Sequence, residues 1–145
     1  MTAARIPEGF EPLPPSSPFV SCVGTLYFRP ADNGTRVIAL PVVNSHTNMH
    51  GNAHGGMLAT LADSALGHNL SRITERGVVT AQMNLEFLSA VHDGDWLEAH
   101  VSIEKQGSRL IFAACELRVG ERRVLKTTAI FAVRRQDGTP HHSDG

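Results

Sequence analysis

Two features only eight residues apart could act together on a carbonyl. They lie in the stretch Asn48 to Ser71, NMHGNAHGGMLATLADSALGHNLS. Gly55 and Gly56 stand where a helical pattern begins. The first N–H groups of a helix lack internal partners, and the helix dipole is positive there. Glycine lets a ligand come close. Such an end suits a carbonyl oxygen that becomes negative during acyl transfer. Asp63 follows two turns later and is the single formal charge between Gly51 and Ser71. A carboxylate there could activate water for hydrolysis. By the standard helical rise, Gly55 and Asp63 lie about 12 Å apart. One copy of the helix therefore cannot bring both to one carbonyl, whereas two copies related by a twofold axis could.

The helix that positions them is short of surface charge. Placed on a wheel from Met57, the residues Met57, Leu58, Leu61, Ala62 and Ala65 fall in one arc roughly 140° wide. Asp63 lies at about 240°, away from that arc, with Ala59, Thr60, Ser64 and Gly67 for neighbours. The row Ala59, Asp63, Gly67 has i, i+4, i+8 spacing and forms a ridge of small residues around a lone carboxylate. A solvated ridge would carry Lys or Glu. This one is expected to meet a partner subunit or a narrow substrate channel.

The flanking chain reads as strands. Ser21 to Phe28 and Arg36 to Val43 flank the turn Ala31-Asp32-Asn33-Gly34 and predict an antiparallel hairpin. After the helix come Val78 to Leu88, Trp96 to Lys105, Arg109 to Val119 and Arg122 to Arg134, read as a four-strand meander. In the first of these, Val79, Ala81, Met83, Leu85 and Phe87 alternate with Thr80, Gln82, Asn84 and Glu86. One helix flanked by sheet on both sides requires the sheet to curl around it. The expected fold is α+β, the hotdog arrangement of about six antiparallel strands around one long central helix. A proline-rich arm over residues 1–20, with Phe10 and Leu13 as anchors, precedes the body at 21–135. A frayed tail follows at 136–145.

Asn48-x-x-Gly51-x-x-His54-Gly55-Gly56, with Asp63 further along, resembles the hotdog-fold acyl-CoA thioesterases of the PaaI (phenylacetic acid degradation) type. PEGFEPLP, MNLEFLSA and EKQGSRLIFAACEL extend the resemblance over nearly the whole chain. It implies that the Gly55 N–H, with Asn48, polarises a thioester carbonyl. Asp63 of the facing subunit would be general base or nucleophile, and Thr80 would help place the water. His54 and Gly56 would contact the substrate. Gln82 departs from an acidic residue seen at that strand position in some relatives. The resemblance also implies a homodimer pairing into a homotetramer, and no metal or organic cofactor.

The remaining residues narrow the alternatives. The 145-residue chain is 41% hydrophobic and 19% charged, with a net charge of −1. That composition fits one globular domain and argues against a nucleic-acid surface. No run approaches membrane-spanning length, and no secretory h-region opens the chain, so the expected location is the cytoplasm. His46, His50 and His54 have the spacing of zinc ligands on a helix, but Asn48, Gly51 and Asn52 interrupt any helix there. Cys22 and Cys115 read as small buried hydrophobes in strands, not as a disulfide pair. Two rivals remain beside hydrolysis: a hotdog hydratase or dehydratase, whose His-plus-carboxylate motif is missing, and a non-catalytic acyl-CoA sensor.

Overall fold

The computed structural model describes residues 5–135, so the expected tail at 136–145 and the first four residues of the arm lie outside it. The elements are β1 (Glu11–Leu13), α1 (Pro18–Val23), β2 (Leu26–Pro30), β3 (Arg36–Pro41), α2 (Gly55–Thr74), β4 (Val78–Phe87), β5 (Trp96–Gln106), β6 (Leu110–Val119) and β7 (Arg122–Val133). The strands form one seven-stranded sheet in the order β1-β2-β3-β5-β6-β7-β4. Every pairing is antiparallel. The apolar side of α2 lies against the inner face, where Leu58, Leu61, Leu66 and Leu70 share a core with Ile38, Leu97, Ile111 and Phe131. This is the hotdog fold, with one strand more than the six expected.

The extra strand comes from the arm. Leu13 pairs with Leu26 and packs against the core. Phe10 meets the Trp96 ring edge-on at 5.2 Å, and Tyr27 lies 5.6 Å from the same ring. The segment read as the start of a strand at Ser21 is instead the end of α1. Ser17 caps that helix by accepting from the Val20 N–H at 3.1 Å, and Pro18 follows at the first helical position. This cap-and-proline signal overrides the β-favoured run Phe19 to Val23. Cys22 is consequently exposed, while Cys115 is buried as expected.

The meander is also rearranged. β5, β6 and β7 are consecutive neighbours, but β4 lies beyond β7, and β5 pairs with β3. β4 therefore forms one edge of the sheet. The pairing of β4 with β7 slips between Thr80 and Gln82, leaving Ala81 as an extra residue. A bulge reverses the alternation. Val78 and Thr80 share the inner face with Met83, Leu85 and Phe87, instead of Thr80 lying opposite them. Thr80 faces the buried Phe131, and Met83 faces the buried Ala129.

Helix and sheet are tied by Asn69, a polar residue with no solvent exposure. Its side-chain oxygen accepts from the Arg36 N–H at 2.7 Å. Its NH2 group donates to the Arg36 carbonyl at 3.0 Å and the Ala65 carbonyl at 2.9 Å. The amide thus acts as a backbone partner at the free end of β3. Among the described residues, no helix is long and apolar enough to cross a membrane. Asn69→Leu should strip these partners from both Arg36 backbone groups and destabilise the fold by about 2–4 kcal/mol. Urea unfolding measures this; a change within about 0.5 kcal/mol would mean the amide is not a tie.

Candidate active site

The loop before α2 is built to present the helix start. Asn48 closes it, its side-chain oxygen accepting from the His50 N–H at 2.9 Å and the Asn52 N–H at 3.2 Å. The Asn48 N–H donates to the Asn52 carbonyl at 2.7 Å. The oxygen of Asn48 is thus occupied by its own turn, and its NH2 group carries no bond among the described residues. His46 is buried and uses both ring nitrogens. Nδ1 accepts from the Val43 N–H at 3.0 Å, and Nε2 donates to the Val23 carbonyl at 2.6 Å. The His46 carbonyl in turn receives the His54 N–H at 2.8 Å. The loop is therefore fixed both to α1 and to the residue that caps α2.

His54 is that cap. Its Nδ1 accepts from the Gly56 N–H at 2.8 Å, which places the ring proton on Nε2. Gly56 therefore spends its N–H on His54 and is not a donor to a substrate in this arrangement. The Met57 and Leu58 N–H groups both donate to the His54 carbonyl, at 2.9 and 3.1 Å. Of the helix-start amides, only that of Gly55 has no partner among the described residues.

Neither glycine is needed for its backbone angles, since neither has a positive φ. At both, a side chain would crowd a neighbouring ring. A Cβ on Gly56 would lie 3.0 Å from Nδ1 and 3.1 Å from Cε1 of His54. One on Gly55 would lie 3.3 Å from Cε1 of Phe87. The sequence gives no sign of the Phe87 contact, because it joins positions thirty-two residues apart.

At the second end, the Thr80 hydroxyl donates to Asp63 Oδ1 at 2.5 Å. The bulge at Ala81 makes this possible by turning Thr80 toward α2. Asp63 is half-buried and keeps Oδ2 for another donor. Leu66 and Leu70 are fully buried, so the core face of α2 extends further toward Asp63 than the arc from Met57 to Ala65. Part of the small-residue ridge leans on the chain's own sheet: a Cβ on Gly67 would lie 3.9 Å from Phe131. Gln82 faces Ile130 on the outer side of the sheet, away from Asp63. Burial pushes the Cys115 thiol up to about 12, so it stays protonated and is no nucleophile at neutral pH.

Within one chain the structure thus joins Asp63 to Thr80, and His54 to Gly56. It leaves the Gly55 amide at the other end of the same helix stretch. A free amide for an oxyanion and a hydroxyl-anchored carboxylate for water fit hydrolysis of an activated carbonyl. Residues 50–126 match the Thioesterase superfamily. The Pseudomonas aeruginosa protein PA0474, which bears an esterase name, is 40% identical over 88% of this chain and 96% of its own length. Human acyl-coenzyme A thioesterase 13 is 31% identical over 68% of this chain and 71% of its own. The solved N33D mutant of the phenylacetic acid degradation protein PaaI of Thermus thermophilus superposes with a TM-score of 0.73. It is 26% identical, covering 82% of this chain and all of the other. The chain belongs to the Thioesterase superfamily, in its hotdog-fold, PaaI-type branch, and is a hydrolase acting on thioester bonds.

The His54 cap carries a direct test. In nitrogen-15 NMR, His54 Nδ1 should be unprotonated and Nε2 protonated. Gly56→Ala should displace the ring and change that signature. An unaltered His54 spectrum in the variant would show that Gly56 does not make room for the cap.

Proposed function

We propose that the protein hydrolyses acyl-CoA thioesters at sites shared between two copies of the chain. The Gly55 N–H of one copy holds the thioester oxygen, and Asp63 of the other activates water or attacks directly. Thr80 fixes the Asp63 carboxylate and helps to place the water. Asn48 contributes by shaping the loop, with its free NH2 group available to the same oxygen. His54 holds the helix start, with Nε2–H turned outward toward the substrate. Gly56 serves the substrate site through the room it gives His54. The products are a free carboxylic acid and coenzyme A, and the reaction needs no metal or organic cofactor.

The observation that carries this reading is the placement of both chemical ends against the edge strand. Gly55 sits against Phe87, and Asp63 is bonded to Thr80. Thr80 and Phe87 are near the two ends of β4. A twofold axis crossing β4 between Met83 and Asn84, and α2 near Ala59, interchanges these ends. It carries Asp63 of one copy toward Gly55 of the other. The nature of the two edges favours β4 as the contact. β1 is only three residues long and contains Pro12, a blunted edge. β4 offers ten residues with no proline and one charge, Glu86, a free template for a second strand. Two such dimers would pair into a tetramer through the outer sheet face, where Leu110 and Phe112 are exposed.

Release of free thiol from a panel of aryl and aliphatic acyl-CoAs tests the reading. Asp63→Asn should lower kcat by at least about 10², the usual scale for a general base. Gly55→Pro should cost about 10²–10³, the scale of one oxyanion donor. His54 before it is extended, at φ −65° and ψ 135°, and Gly55 is the first helical position, so proline suits the backbone there, while its Cβ, 3.3 Å from the exposed Phe87 ring, requires that ring to shift by a few tenths of an ångström. Near-wild-type turnover in Asp63→Asn would refute the assignment. Tight acyl-CoA binding with no release by the wild type would point to a sensor. A protein that is active as a monomer in light scattering would refute the shared site.

A further inference from the structure

We propose that Phe87 determines acyl specificity, its ring forming the surface against which the acyl group lies once Gly55 holds the carbonyl. This rests on the reading of Gly55 given above. The ring is placed by the sheet. Phe87 pairs with the fully buried Leu125, and the next residue, Leu88, donates its N–H to the Val124 carbonyl at 2.9 Å. Such an inward-facing position would ordinarily be closed by the core. Yet Phe87 is 55% exposed, standing at the end of the edge strand β4.

One side of the ring is committed to Gly55. The site of a Gly55 Cβ lies 3.3 Å from Cε1 and 3.5 Å from Cζ. The contact, not the backbone angles, is what glycine eases at this position. In the single chain the remaining surface of the ring is open, on the side that would face the shared site. A carbonyl oxygen accepting from that amide stands about 2.9 Å from its nitrogen. Because the ring lies 3.3 Å from the Cβ site of the same residue, the proposal places the acyl carbon bonded to that carbonyl on the side of the ring. Phe87 offers no hydrogen bond and no charge, so it recognises apolar surface. Aromatic rings add stacking or edge contacts to that burial. The chemistry selects acyl groups with an apolar or planar body next to the carbonyl over acetyl, whose methyl covers little of the ring.

The test compares kcat/KM for benzoyl-CoA, hexanoyl-CoA and acetyl-CoA in the wild type, Phe87→Ala and Phe87→Leu, with light-scattering mass measured on each. Phe87→Ala should lose about tenfold or more on benzoyl-CoA and hexanoyl-CoA, and less than about threefold on acetyl-CoA. Phe87→Leu should retain hexanoyl-CoA better than benzoyl-CoA. Equal losses on all three thioesters would overturn the proposal, as would unchanged values. A fall in oligomer mass with parallel loss of all activity would overturn it too, assigning the ring to the subunit contact. Wild-type protein inert on all three thioesters would refute the thioesterase reading itself, a result distinct from any of these.

Discussion

An α-helix advances about 1.5 Å per residue, and that rise sets the constraint that the proposed site must meet. The free amide of Gly55 and the carboxylate of Asp63 belong to one rigid helix, two turns apart. No side-chain rotation brings the amide and the carboxylate of one copy to one carbonyl. In the proposed shared site, a sheet with one open edge supplies the way out. β4 runs beside α2, touches Gly55 through Phe87 and Asp63 through Thr80, and is unpaired on its outer side. Symmetry can then exchange the ends that the helix keeps apart.

Small local devices keep each end ready. The bulge at Ala81 turns Thr80 inward, so that its hydroxyl anchors Asp63. Without the extra residue, Thr80 would point to the opposite face. At the helix start, His54 takes the Gly56 amide and leaves that of Gly55 available. The two glycines divide the work: one makes room for the cap, the other for an aromatic ring. His46 links the loop to α1, and Asn69 fixes the far half of α2 to β3. The helix is thereby held near both of its ends.

Much of this was legible from residue type and spacing. The lone charge at Asp63, the glycine pair and the apolar arc of α2 gave the helix and the architecture. The turn at Asn33-Gly34 gave the first hairpin, and alternation located the strands. What stayed hidden depends on pairing between distant segments. Alternation from Val79 to Phe87 looks unbroken, because Ala81 is small enough to suit either face, so the bulge leaves no compositional mark. β4 reads as part of a meander because sequence order does not reveal which strand crosses the sheet. The short helix at Pro18–Val23 was hidden by β-favoured residues, though Ser17-Pro18 carried its start signal. Asn69 carries no mark of its role in the sequence. Only its burial against the end of β3 explains it.

Subunit complementation is the most direct measurement of the shared site. Asp63→Asn and Gly55→Pro chains, each nearly inactive alone, would be unfolded together and refolded as an equal mixture. Random pairing makes half of the dimers hybrids, and each hybrid holds one intact site. Thiol release should then return to roughly a quarter of the wild-type value, as expected for a symmetric dimer with two equivalent sites. If Gly55 and Asp63 of the same chain served one carbonyl, every site would keep one defect. The mixture would stay as inactive as its parents, and the account of two half-sites exchanged by symmetry would be contradicted.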